Sequence, residues 1–417
     1  MVHPDRTVMV SAIEFSPDGS LILGSTYPEN TIQIWDAKTG RQLETIRTPK
    51  EHKASERFWK TNEDFSKVFV CFEGESSHEK VREGEGDDAK EGIKVEFQDS
   101  RIEVWNTKTG KLESRIQSDP PSMFRMLEMS PDKKHLVTLE KLPWTYFGNQ
   151  RGASRRFRLR EIDSGKISEL DRSIQLPISF NESGDRMVSF IADETRLYSV
   201  GISIFEFPSM KEIKRIELPE GINRGNELRF SSDQKHLLLD YQTYEHKGVW
   251  NNWKTTISCI EVESGKVTGS YDFPFENDSP IFVSQQLSDG SLAFTTWRTS
   301  PARVLAVSVP DMKQRWDVEL GDYDGAMVSV VSQDKEYFAA LCIAKTDAFA
   351  GTSGKVNWDL VPQNDLKIVS RDGKVLETIV LPVGATTITM SPDGQSTAIG
   401  ALGSIHTIDL SGPFENK

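Results

Sequence analysis

The sequence is poor in the residues that staple or metallate a fold. Its 417 residues include three cysteines, Cys71, Cys259 and Cys342, far apart and without C-x-x-C spacing. That odd, scattered set excludes a disulfide framework and a cysteine metal site. The three thiols are expected to sit in strands as small hydrophobes. Histidine is also thin: seven, at 3, 52, 78, 135, 236, 246 and 406, with no i, i+2 or i, i+4 pair and no H-E-x-x-H. No metal site is readable from that spacing. No run approaches the roughly 18 apolar residues of a membrane span. The opening MVHPDRTVMVSAIEF has no apolar core of a signal peptide. A cytoplasmic location without membrane contact is therefore the expectation.

Catalytic signatures are missing as well. There is no G-x-S-x-G elbow, no phosphate loop and no dinucleotide fingerprint. GTSGK at 351–355 has the composition of a phosphate loop but not its spacing. Neither a catalytic residue nor a cofactor is expected. Positive charge is in deficit: 50 Lys and Arg against 63 Asp and Glu give a net charge of −13. Such a chain repels phosphate backbones, so nucleic acid is not an expected partner. Helical periodicity of convincing length is absent too.

What is present is turn formers and alternation. The chain has 29 Gly and 19 Pro at 37% hydrophobic residues, the composition of a turn-rich globular protein. One passage recurs: IQIWDAKTGRQLETI at 32–46 and IEVWNTKTGKLESRI at 102–116. The full unit reads strand a, tight turn, strand b, connection, strand c, tight turn, strand d. The a–b turns are SPDG (16–19), SPDK (130–133), SSDQ (231–234), SDG (288–290), SQDK (332–335) and SPDG (391–394), with looser forms at 64–67 and 181–185. The c–d turns are KTG (38–40 and 108–110), DSGK (163–166), ESGK (263–266) and RDGK (371–374). FPSMK (207–211) and VPDMK (309–313) fill the same slot without glycine. Pro, Asp and Gly suit these turns through fixed φ, a backbone-capping carboxylate and tolerance of positive φ. Between them the pieces alternate with period two, as half-buried strands do.

Eight a-strands are expected near residues 10, 57, 123, 174, 226, 280, 326 and 385, with eight c-strands and seven d-strands. Thirty-one strands fall one short of eight four-stranded sheets. The leader before residue 10 is expected to supply the missing one and pair the chain ends. The sequence resembles the WD-repeat β-propellers through Trp35-Asp36 in IQIWDAKTG, Trp105-Asn106 in IEVWNTKTG and FSPDG at 15–19. The G-H dipeptide of that family is absent. The resemblance implies an all-β propeller of four-stranded antiparallel blades, eight favoured and seven the alternative, in one domain over 1–417. It also implies protein or peptide partners as the commonest use.

Length variation is concentrated in the b–c connections, at about 73–100, 140–155, 242–255 and 345–364. In an antiparallel sheet these must leave one face with the d–a connections, and binding residues concentrate on such loops. The stretch EGESSHEKVREGEGDDAKEG (73–92) reads as a solvated acidic loop, with a lure for a basic partner as the sharper reading. PWTYFGNQRGASRRFRLR (143–160) offers Trp144, Tyr146, Phe147, Arg151, Arg155 and Arg156; Arg156, Arg158 and Arg160 share one side of a strand. It reads either as an aromatic plug with arginines on a solvated edge, or as a surface whose guanidinium forks take carboxylates or phosphates. Tyr244, His246, Trp250 and Trp253 lie in the third insertion, Trp358 in the fourth, and Trp297 in a short connection on the same face. Loop tryptophans often fold back on their own scaffold, yet clustered rim aromatics are what recognition sites are made of.

The expected function is a protein- or peptide-binding scaffold, alone or within a larger polypeptide or complex. Its expected site is Trp144, Tyr146, Arg151, Arg155, Tyr244, His246, Trp250, Trp253, Trp297 and Trp358. The alternative is a propeller enzyme, hydrolase or oxidoreductase, working at the mouth of the central channel.

Overall fold

The computed structural model describes residues 9–27, 31–47, 59–84, 90–118, 121–147, 155–170, 173–192, 199–218, 222, 224–247, 250–274, 285–296, 301–332, 334–344, 364–381, 384–401 and 404–410. Among them every regular element is a β-strand. Eight antiparallel sheets succeed one another along the chain; seven have four described strands and the last has three. Their first strands begin at Met9, Trp59, Met123, Ile174, Arg224, Gln285, Tyr323 and Thr387, close to the positions read from the sequence. In each blade the strands pair in chain order. Contacts between neighbouring blades gather on the first strands, which lie innermost.

The turns explain why the strands start and stop where they do. Each of the eight a–b turns ends in a left-handed residue: Gly19, Phe65, Lys133, Gly184, Gln234, Gly290, Lys335 and Gly394. A serine–aspartate pair braces most of them. Ser16 Oγ donates to Asp18 Oδ1 at 2.6 Å and accepts the Leu21 amide at 2.9 Å. Ser130–Asp132 and Ser391–Asp393 repeat the first contact at 2.5 Å. The Ser16 hydroxyl and the Ser20 amide hold Asp18 down at a pKa of about 2. In the c–d turns the left-handed slot is taken by Gly40, Gly110, Gly165, Gly265 and Gly373, and by Met210 and Met312 where glycine is missing.

The core is not one mass but eight apolar seams, one between each pair of neighbours. Alternation creates them, because successive strand residues point to opposite faces. In the second blade Val68, Val70 and Phe72 meet Ile32 and Ile34 of the first. Phe69 and Cys71 of the same strand meet Phe124 and Leu127 of the third. Leu139 and Phe157 then meet Met187 and Phe205, and Ile202 meets Leu239. Cys259 meets Phe294, Val304 meets Phe338 and Cys342, and Leu341 meets Ile399. The three cysteines are free and buried, as expected. Ala398 and Ile405 of the last blade finally meet Val10, Ile22 and Trp35 of the first. Across that seam Thr386 Oγ1 donates to the Val10 carbonyl at 2.8 Å. The ring is thus closed, and the fold is a β-propeller with eight blades among the described residues. The leader expected to complete the last blade lies outside the described residues.

Ile22 is fully buried in the closing seam. Ile22→Ala is expected to cost about 2–5 kcal/mol, read as a lower denaturant midpoint. An unchanged midpoint would show that the first and last blades do not hold each other.

Candidate functional site

Four-stranded antiparallel blades send their b–c and d–a connections out of one face. The structure shows this directly for two insertions. Between the second and third strands of blade 2 rises a hairpin, Glu75–Glu83 with Lys90–Gln98. Between the second and third strands of blade 3 runs Trp144–Phe147. The two meet: Trp144 lies opposite Val95 and Tyr146 opposite Ile93, giving an additional three-stranded sheet. Excursions from opposite faces could not pair in this way.

The expectation of a solvated acidic loop over 73–92 is corrected in part: Glu75–Glu83 is solvated as expected, but it is a strand paired with Lys90–Gln98. Ile93, Val95 and Phe97 alternate along the second strand of the hairpin, and Val95 and Phe97 are buried. That apolar row needs a cover, and Trp144 supplies part of it, its ring tilted against Phe97 at 5.7 Å between centroids. The blade 5 insertion is also strand rather than loop. His236–Lys247 and Trp250–Glu261 form one hairpin of two twelve-residue strands, running past the blade on the same face.

Of the ten expected site residues, the structure brings Trp144, Tyr146 and Arg155 to one corner at blade 3. Trp144 and Tyr146 are half-buried and Arg155 is exposed. Tyr244, His246, Trp250 and Trp253 lie on the long hairpin, with Tyr244 opposite Trp253, His246 opposite Asn251 and Trp250 opposite Lys247. Arg151, Trp297 and Trp358 lie outside the described residues. Two neighbours in the corner escaped the sequence reading. Lys141 faces Arg155 across the sheet and holds its Nζ 4.0 Å above the Trp144 ring. Arg125 stands at a bulge between Phe124 and Met126 and reaches Glu73 of blade 2 at 2.9 Å.

Arg156, Arg158 and Arg160 are neither a solvated edge nor a recognition surface. All three are buried around Glu140, which is itself fully enclosed. Arg156 Nη2 reaches Glu140 Oε2 at 2.5 Å, Arg160 Nη2 reaches Oε1 at 2.8 Å, and Arg158 Nη1 stands 3.6 Å from Oε2. The Ser118 and Ser122 hydroxyls donate to the same carboxylate at 2.8 and 3.0 Å, tying the chain that enters blade 3. Blade 2 repeats the device at Glu103, held by Arg101 at 2.8 Å, Arg115 at 3.1 Å and the Trp105 indole at 3.1 Å. Burial raises the Glu140 pKa, but hydrogen bonds from Arg156, Ser118 and Arg160 outweigh it, and the net position lies below the ordinary 4.5. Removing one member of a buried ionic group strands the others. Glu140→Ala is expected to cost about 3–5 kcal/mol. Because the folded state holds this proton more weakly than the unfolded chain, its stabilisation is complete above the ordinary value and fades as pH falls below it. A variant with wild-type stability and an unchanged acid limb would refute the ionic role.

Blade 5 carries the opposite case. Asp240, 3% exposed, faces Glu227 across the first two strands and is pushed up to about 8, by burial first and by the Glu227 charge second. Its Oδ1 accepts from Asn226 at 3.5 Å, and its Oδ2 has no partner. Glu227 is raised by burial too, with Arg229 at 3.9 Å opposing. The native state keeps the Asp240 proton where the unfolded chain releases it, so stability falls as pH rises from about 4 to about 8. Asp240→Asn is expected to flatten that slope and to raise stability at pH 8 by on the order of 1–3 kcal/mol. A steeper slope, or a loss at pH 8, would contradict it. Among the described residues no group of three or more His, Cys, Asp or Glu is arranged to hold a metal ion, and no helix is long and apolar enough to cross a membrane.

No protein-family model and no curated protein matches this sequence. Solved structures do match its shape along nearly the whole chain. A dihydro-heme d1 dehydrogenase, NirN, solved in complex with DHE, is similar with a TM-score of 0.58 at 11% identity, covering 97% of this chain and 78% of that one. A eukaryotic initiation factor gives 0.53 at 14%, covering 99% and 87%. Hydrazine synthase of Kuenenia stuttgartiensis gives 0.50 at 12%, covering 98% and 97%. At such identities the likeness concerns the fold: this chain is a β-propeller, and the fold hosts unrelated activities.

Proposed function

We propose that the protein is a binding scaffold that holds a protein or peptide partner on the face bearing the b–c connections. The observation that carries this reading is the additional sheet of Glu75–Glu83, Lys90–Gln98 and Trp144–Phe147. Two blades spend insertions on it that the ring itself does not require, and both emerge beside the long hairpin's face. Rigid scaffolds place recognition on such additions. Trp144, Tyr146 and Arg155 form one part of the surface. Tyr244, His246, Trp250 and Trp253 form a second part, and Arg151, Trp297 and Trp358 complete the proposed set.

The WD-repeat resemblance supports protein or peptide partners, and a cytoplasmic location belongs to the same proposal. A single domain over 1–417, with the leader as the fourth strand of the last blade, belongs to the same proposal.

Two variants test the reading: Trp250→Ala with Trp253→Ala, and replacement of 243–254 by a two-residue Asn-Gly turn. Affinity capture from native extract is expected to lose its partners by about tenfold or more, a loss of ~1.4 kcal/mol or beyond, while the melting temperature holds. Capture of the same partners by both variants would remove the long hairpin from the site.

A further inference from the structure

Among the described residues, the corner at blade 3 gathers more positive charge than it neutralises. Lys141 and Arg155 sit directly opposite each other on adjacent antiparallel strands. Like charges in that position repel and cost stability. The other arginines of the strand that carries Arg155, at 156, 158 and 160, are turned onto Glu140. At the corner the described residues provide one carboxylate, Glu73, and it is engaged by Arg125 at 2.9 Å. Three cations therefore share one anion, within a chain whose net charge is −13.

The arrangement is also held in place. Arg125 occupies the irregular position between Phe124 and Met126, and bulges commonly re-aim a side chain beside a functional site. Lys141 rests on the Trp144 ring, which rests on buried Phe97. Burial lowers the Lys141 pKa first, and Arg125 and Arg155 lower it further, with Glu73 opposing. An incoming anion would reverse both of the latter effects.

We propose that Arg125, Lys141 and Arg155 form an anion site that takes the carboxylates of an acidic peptide segment, with Trp144 and Tyr146 as its apolar wall. This inference rests on the binding-face reading and adds the chemistry of the partner. Guanidinium forks and an ammonium group suit discrete carboxylates, and charge-assisted hydrogen bonds are the strong ones. Three cations confined to one corner of a chain with a net charge of −13 suit a short acidic segment better than a continuous phosphate backbone.

The test is calorimetric titration of the full chain with acetylated, amidated hexaglutamate, hexaglutamine and hexathymidylate. Hexaglutamate is expected to bind, more weakly as salt rises, and hexaglutamine is expected to bind at least tenfold less tightly. Lys141→Gln and Arg155→Gln are each expected to weaken hexaglutamate by about tenfold. Their melting temperatures should stay level or rise, since each removes a repulsion; a purely structural role would lower them. Equal binding of hexaglutamate by the wild type and both variants overturns the inference, and so does tighter binding of hexathymidylate. If hexaglutamine matches hexaglutamate, and deletion of 144–147 abolishes both, the anion site is refuted while the binding face survives.

Discussion

Everything in this molecule depends on each blade burying both of its faces against neighbours. A four-stranded sheet alone cannot do so, and only a closed circle leaves no blade with a bare side. The eight seams meet this demand in turn, and the last of them joins Val10, Ile22 and Trp35 to Ala398 and Ile405. Because middle strands are covered on both sides, even their polar residues are enclosed. Glu103, Glu140 and Asp240 are all buried at such positions, and the ring has to satisfy them internally. Two of these carboxylates are surrounded by arginines and the third keeps its proton.

The ring was legible in the sequence because its turns leave little chemical freedom. A left-handed residue closes every a–b turn, and SPDG, SPDK and SQDK spell that slot openly. Strand starts followed from it to within a few residues. The interior of the insertions was not legible. GIKVEF at 92–97 alternates, but the strand that covers its apolar row, Trp144–Phe147, lies some fifty residues later. Acidic composition pointed to a loop, while pairing at a distance made it a sheet.

The arginine run failed for a related reason. Alternation in RRFRLR separated an arginine face from an apolar face correctly. It could not show that both faces are inside, nor that Glu140 waits on the adjacent strand with the residues that enter the blade. Arg155, one step earlier, ends outside, and its neighbours Lys141 and Arg125 became visible only through register. The seams repeat from blade to blade, and the additions at one face do not.

The insertions of blades 2 and 3 leave the same face and pair there. Lys94 and Thr145 lie directly opposite on the joined strands, at a separation that a disulfide can span. With cysteine at both positions and the three native thiols buried, mild oxidation should link residues 94 and 145 within one folded chain, as peptide mapping by mass spectrometry would show. Two freely alkylated thiols, with no such link in the folded protein, would contradict the shared face and the recognition surface built upon it.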